Sequence, residues 1–232
     1  MQDRQQNELS RDQGRFTTAY GGIDSSRSMA PSAASVLRNT YMLLGLTVGF
    51  SAFVAWFSMG AQPPGLLITL VGFYGLLFLT YRLKNSPWGL LSVFALTGFM
   101  GFTLGPIIGM FAKAGAMTVV ANALTLTAIA FVGLSAIALI TRKDFRFLAS
   151  FITVGFFVLL GAVLLGIFVQ TTVLHLAIAA GFTLFSSIVI LYQTSEIIHG
   201  GERNYIIATV TLYVALYNLF VSLLQILGAS RN

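Results

Sequence analysis

LYQTSEIIHGGERNYIIATVTLYVALYN, Leu191–Asn218, closes one long apolar run and opens another. Past Arg38 the chain has three acidic residues, Asp144, Glu196 and Glu202, and two of them fall in this stretch beside His199. Gln193 and Glu196 are three apart and share a helix face. Gly200-Gly201 then interrupts the helix, and a second apolar run begins at Tyr205. Two apolar runs joined by a short polar turn read as a membrane hairpin. Polar side chains at the edge of such a helix are a functional-site candidate. They are equally the water-facing end of a hairpin, and the residue types alone leave both readings open.

Composition agrees with the hairpin. Of 232 residues, 56% are hydrophobic and 9% charged, where a soluble domain carries about 25% charge. The chain is therefore an integral, all-α membrane protein. Its net charge of +6 does not mark a nucleic-acid surface, because the basic residues sit in the amino-terminal tail and in short loops. That placement is a topology signal. The absence of cysteine excludes disulfides and thiolate metal sites.

Uncharged gaps give the number of spans, at about 20 residues each. Arg38 to Arg82 encloses 43 uncharged residues, split by Gln62-Pro63-Pro64-Gly65 into two spans. The intervals Lys84–Lys113 and Lys113–Arg142 enclose 28 each, one span apiece. Arg146 to Glu196 encloses 49, which as one helix would be about 73 Å long, so it divides near Gln170-Thr171-Thr172. Arg203 to Arg231 encloses 27 and adds the last. The expectation is seven transmembrane helices over 36–232, preceded by a polar tail, 1–35, expected to be disordered. The tail has no signal-peptide core.

Within the spans, Gly98, Gly101, Gly105 and Gly109 form a small-residue stripe on span three, suited to close helix packing. Pro106 should kink or locally open that helix. Asp144 is expected to cap span five, and His175 to be a wet interfacial side chain. Span seven carries Thr209, Thr211, Tyr213, Tyr217, Asn218, Ser222 and Gln225, which suit a polar path or interhelical hydrogen bonds. No HExxH, no GxSxG, no phosphate-binding loop and no carboxylate cluster for a metal occurs, so neither an enzyme nor a cofactor is expected. Gly49-Phe50-Ser51 has no evident histidine partner and reads as packing.

Several strings in order carry a resemblance. Val36-Leu37-Arg38-Asn39-Thr40-Tyr41 opens span one, and Gly105-Pro106-Ile107 interrupts span three. Thr141-Arg142-Lys143-Asp144-Phe145 joins spans four and five. Tyr192-Gln193-Thr194, Ile197–Gly201, and Leu212-Tyr213 with Asn218-Leu219-Phe220 close the chain. Together they resemble the Bax inhibitor family of seven-helix membrane proteins, and within it the bacterial YccA branch. The resemblance implies a bundle whose last helix is central and wrapped by the other six.

It also implies two activities. The bacterial branch implies a protein of the inner membrane that associates with the FtsH protease complex and restrains it, with the lipid bilayer as its surroundings. The wider family implies a calcium leak, in which an aspartate late in span six and another in span seven share protons and sense pH. The matching positions here are Gln193 and Ala215, and neither ionises, so calcium leak is the alternative and its proton gating is not expected. Glu196, one turn nearer the cytoplasm, is the candidate substitute, with Arg82, Arg203 or His199 as its partner.

Orientation follows from Lys and Arg. With the tail inside, Arg4, Arg11, Arg15, Arg27, Arg38, Arg82, Lys84, Arg142, Lys143, Arg146 and Arg203 are cytoplasmic, and Lys113 and Arg231 are outside. Eleven against two places the amino terminus in the cytoplasm and the carboxyl terminus in the periplasm. A topology reporter fused before Met1 should read cytoplasmic, and one fused after Asn232 periplasmic. Both ends on one side would mean an even number of crossings.

Overall fold

The structure is a computed structural model that describes residues 31–230. Seven helices follow one another: α1 (Pro31–Phe57), α2 (Leu66–Leu83), α3 (Trp88–Lys113), α4 (Met117–Thr141), α5 (Leu148–Phe168), α6 (Thr172–Ile198) and α7 (Tyr205–Ala229). All seven are long and apolar enough to span a membrane, and the described residues hold no strand. α1 begins at Pro31, where proline is pre-shaped for a first helical turn. The start lies inside the stretch assigned to the tail from sequence; the rest of that tail falls outside the described residues.

The helix breaks have local causes. The α1–α2 break holds Gln62-Pro63-Pro64-Gly65, as expected. The α5–α6 break has neither proline nor glycine, and is made by a cap. Thr171 takes an extended backbone, and its hydroxyl accepts a hydrogen bond from the Leu174 amide at 3.4 Å. Asp144 does not cap α5, contrary to expectation. Its Oδ1 accepts from the Arg146 amide at 2.9 Å and its carboxylate pairs with the Arg146 guanidinium at 2.7 Å. It folds the loop two residues on, and α5 starts at Leu148 without a side-chain cap.

α7 is the core of the bundle. It packs on α6, α4, α1, α3 and α2, and about three-fifths of its span is buried, 61%. The expected wrapping by all six other helices is corrected in one respect. α5 packs on α6 alone, because α6 stands between it and α7. Lettered by location, the bundle has a basic end, with Arg82, Lys84, Arg142, Lys143, Arg146 and Arg203, and an opposite end with Lys113.

α3 reaches its position through the glycine stripe. A Cβ at Gly101 or Gly105 would overlap the backbone oxygen of Ser51 or Ala55 on α1, and one at Gly109 that of Met59 just past its end. One at Gly98 would press into the Phe50 ring. Pro106 lies within this contact, yet α3 runs through it as a helix. The missing N–H frees the Phe102 carbonyl four residues back. The hydroxyl of Ser58, the residue that follows α1, lies 3.4 Å from that carbonyl, a donor it shares with the Val54 carbonyl at 2.9 Å. The neighbour thus serves the group that proline orphans.

Gly105→Ala should destabilise the bundle by about 1–3 kcal/mol through overpacking, read as reversible unfolding in mixed micelles. Gly133→Ala, where an added Cβ meets nothing within 4 Å, should leave stability unchanged or raise it.

Candidate functional site

The polar residues of α7 divide into two stripes. Thr209, Tyr213 and Tyr217 recur every fourth residue and face α1 and α3. Thr209 Oγ1 donates toward the Thr40 carbonyl at 3.3 Å and to its own Tyr205 carbonyl at 2.7 Å. The Tyr213 hydroxyl donates toward Ser51 Oγ and the Thr97 carbonyl, 3.2 Å away. Tyr217 donates to Thr103 Oγ1 at 3.0 Å, since the Thr103 proton is committed to the Met100 carbonyl at 2.7 Å. Ser51, read from sequence as a packing residue, is a buried partner of α7.

The second stripe, Thr211, Asn218, Ser222 and Gln225, faces open space. At the Lys113 end, a cavity of about 700 Å³ is lined by Phe111, Thr172, His175 and Gln225 among others. His175 and Gln225 also line a neighbouring space of about 350 Å³ that reaches Ser222 and Asn218. Asn218 in turn lines a third, about 230 Å³, with Ala215, Thr211, Ser186 and Tyr81. The row offers hydroxyls and amides that can hold water. It offers no carboxylate, the ligand a calcium ion needs. Among the described residues, no three His, Cys, Asp or Glu converge on a point.

Gln193 and Ala215, the positions matching the family aspartates, are both buried. Ala215 lines the third cavity with Asn218; Gln193 does not line it. The Gln193 Nε2 finds no hydrogen-bond partner in the protein, and neither does Ser186 Oγ seven residues earlier on α6. Arg82 is exposed near the end of α2. Glu196 pairs with none of its expected partners, since the ion pair formed among the described residues is Asp144–Arg146. The turn explains why. Gly200 takes a left-handed φ of 73°, and the amides of Gly201 and Glu202 donate back to the Glu196 carbonyl at 2.9 and 3.2 Å. The Glu196 carboxylate consequently lies over Gly201, where a Cβ would overlap it.

His199 belongs to a different construction. Ser195 Oγ accepts from the Phe145 amide at 3.0 Å and donates to the Lys143 carbonyl at 3.3 Å. His199 Nδ1 lies 2.8 Å from the Ser195 carbonyl, and Nε2 lies 3.2 Å from the Arg142 carbonyl. Both ring nitrogens thus face acceptors; a neutral imidazole can serve one of them and an imidazolium both. The end of α6 thereby clasps the α4–α5 loop, whose Arg142 ends α4 in a left-handed conformation, φ 48°. In the same loop the Arg146 hydrogen bonds hold the Asp144 carboxyl down at about 2, below its usual 3.8. Any stabilisation from that pair is present above the usual value and lost as pH falls through about 2; exposure keeps it small.

Two further ties at this end were not singled out from sequence. Tyr41 of α1 and Thr194 of α6 lie 3.2 Å apart, oxygen to oxygen. Asn204 caps α7 by accepting from the Ile206 and Ile207 amides at 3.0 and 3.2 Å. Its Nδ2 donates to the Lys84 carbonyl and Asn85 Oδ1, both at 3.0 Å. An asparagine directly before an apolar run is a readable cap signal, but its reach to the α2–α3 loop is not.

Residues 33–232 match the family described as Inhibitor of apoptosis-promoting Bax1. An uncharacterized protein of Pseudomonas aeruginosa is 58% identical over 89% of this chain and 94% of its own length. The modulator of FtsH protease YccA of Escherichia coli K12 is 54% identical over 89% of this chain and 95% of its own. An uncharacterized membrane protein of Vibrio cholerae is 42% identical over 85% and 90%.

Ser195→Ala removes the acceptor of the Phe145 amide. Hydrogen exchange at that amide should rise roughly fivefold, the equivalent of about 1 kcal/mol. The Arg146 amide, held by Asp144, should exchange as before.

Proposed function

We propose that this chain, which belongs to the Bax inhibitor family, is an inner-membrane protein that binds the FtsH protease and restrains it. The observation that carries the reading is its near full-length similarity to a relative named as modulator of that protease, which another strain's counterpart describes as an inner membrane protein. The described structure supplies what such a role needs. It has seven spans of lipid-facing surface for lateral association and a basic end with a clasped loop. The polar segment ahead of α1 is the candidate handle by which a protease would take hold. In this reading the basic end and the amino terminus are cytoplasmic, and the carboxyl terminus is periplasmic.

The calcium leak is not favoured. An amide at Gln193 and a methyl group at Ala215 cannot share a titrating proton, and Glu196 stands over the Gly200-Gly201 turn and forms no ion pair among the described residues.

The full chain, solubilised from bacterial membranes in mild detergent, should co-isolate with FtsH, and its overproduction should slow FtsH-dependent loss of a second membrane substrate. Unchanged turnover at every dose would remove the reading. Deleting Met1–Ala30 should lengthen the chain's own lifetime in FtsH-containing cells while the bundle still inserts; an unchanged lifetime would place the protease's grip elsewhere.

A further inference from the structure

α1 and α4 both pack on α7, but their backbones do not pack on each other. At the basic end the rings of Tyr41 and Phe131 bridge the gap, centroids 5.8 Å apart. Beyond that bridge, toward the Lys113 end, a crevice of about 280 Å³ opens between the two helices. Its walls include Val48 and Ala52 of α1, Met59 just past its end and Leu124 of α4, and its floor includes Tyr213 and Phe220 of α7. We propose that this crevice is a binding site for one acyl chain of a bilayer phospholipid, held against the central helix.

Its chemistry, position and length all point to that occupant. The hydroxyls in its lining have partners within the protein, Tyr213 with Ser51 and Thr97, Tyr217 with Thr103 and Thr127 with the Ala123 carbonyl at 2.7 Å. No polar ligand is called for, and an apolar space of this kind does not hold water. The mouth lies between two spans and is flanked by exposed apolar side chains, Trp56 at 66% and Leu124 at 54% exposure. At that depth a bilayer presents hydrocarbon. This wall runs from Val48 past the end of α1 at Phe57 to Met59, and its helical part alone rises about 14 Å. Half of a hydrocarbon core of about 30 Å is nearly the same length, so the slot matches one chain of one leaflet.

The occupant would touch Tyr213 and Phe220 directly, giving the bilayer a contact with the helix on which five others pack. This holds whether or not the chain acts on a protease.

The test uses the full chain in nanodiscs of phosphatidylethanolamine and phosphatidylglycerol, then transferred to detergent and weighed intact by native mass spectrometry. The unmodified protein should retain one phospholipid per chain. Ala52→Phe and Leu124→Phe fill the slot from opposite walls, and both positions are exposed, so folding should survive. Each should lower retention roughly tenfold, which corresponds to about 1.4 kcal/mol. Ala177→Phe, on an exposed part of α6, should retain lipid as the unmodified protein does. Equal retention by all variants, or none by the unmodified protein, would overturn the proposal. So would a second copy of the chain bound in place of lipid and lost on filling the slot.

Discussion

The structure depends on how closely α3 can approach α1. In a bilayer, helices gain little from hiding apolar surface from one another, because lipid is as apolar as leucine. What remains is contact distance and the hydrogen bonds that contact permits. Bare Cα positions at Gly101, Gly105 and Gly109 let the α3 backbone lie on the α1 carbonyls. That approach brings Ser58 within reach of the carbonyl that Pro106 leaves unserved. It also sets Ser51 and the Thr97 carbonyl where the Tyr213 hydroxyl meets both. The central position of α7 is thus a consequence of the glycine seam as much as of α7 itself.

The two polar stripes of α7 then do different things. Thr209, Tyr213 and Tyr217 spend their protons on neighbouring helices and fix the rotation of α7. Fixing it turns Thr211, Asn218, Ser222 and Gln225 toward the cavities on the opposite flank. Those cavities set a few hydroxyls and amides among mostly apolar walls, and Ser186, whose hydroxyl has no protein partner, lines one of them from the α6 side. A restraining role in association with a protease is compatible with such an interior, because it requires no ionisable pair at mid-depth.

Much of this was legible in the chain, and what was not has physical reasons. Span number followed from charge spacing, including the α5–α6 break, where length alone forced a division that Thr171 turned out to make. The glycine stripe announced close packing by its spacing. Asp144 misled because a carboxylate before a helix can equally fold back on a nearby amide, and Arg146, two residues on, supplied both an amide and a guanidinium. Glu196 misled because its partners were sought by charge, while the path of the Gly200-Gly201 turn decided where its carboxylate went. The polar inventory of α7 was visible from sequence. The partition of that inventory between bonded and cavity-lining faces was not, since it needs to be known which helices stand on either side. The crevice between α1 and α4 has no sequence signature at all, being a space between helices that are remote in the chain.

The unequal anchorage of the helices has a mechanical consequence. A force drawing the chain out from its amino-terminal side meets α1 first. That helix is fastened to α3 along the seam, to α7 through Thr40 and Ser51, and to α6 through Tyr41. α5, with one neighbour, would come away far more easily, but it lies fifth in line. Extraction from that side therefore encounters a helix held by three neighbours at the outset. Once α1 has slipped, the hydroxyl stripe of α7 loses two of its acceptors together.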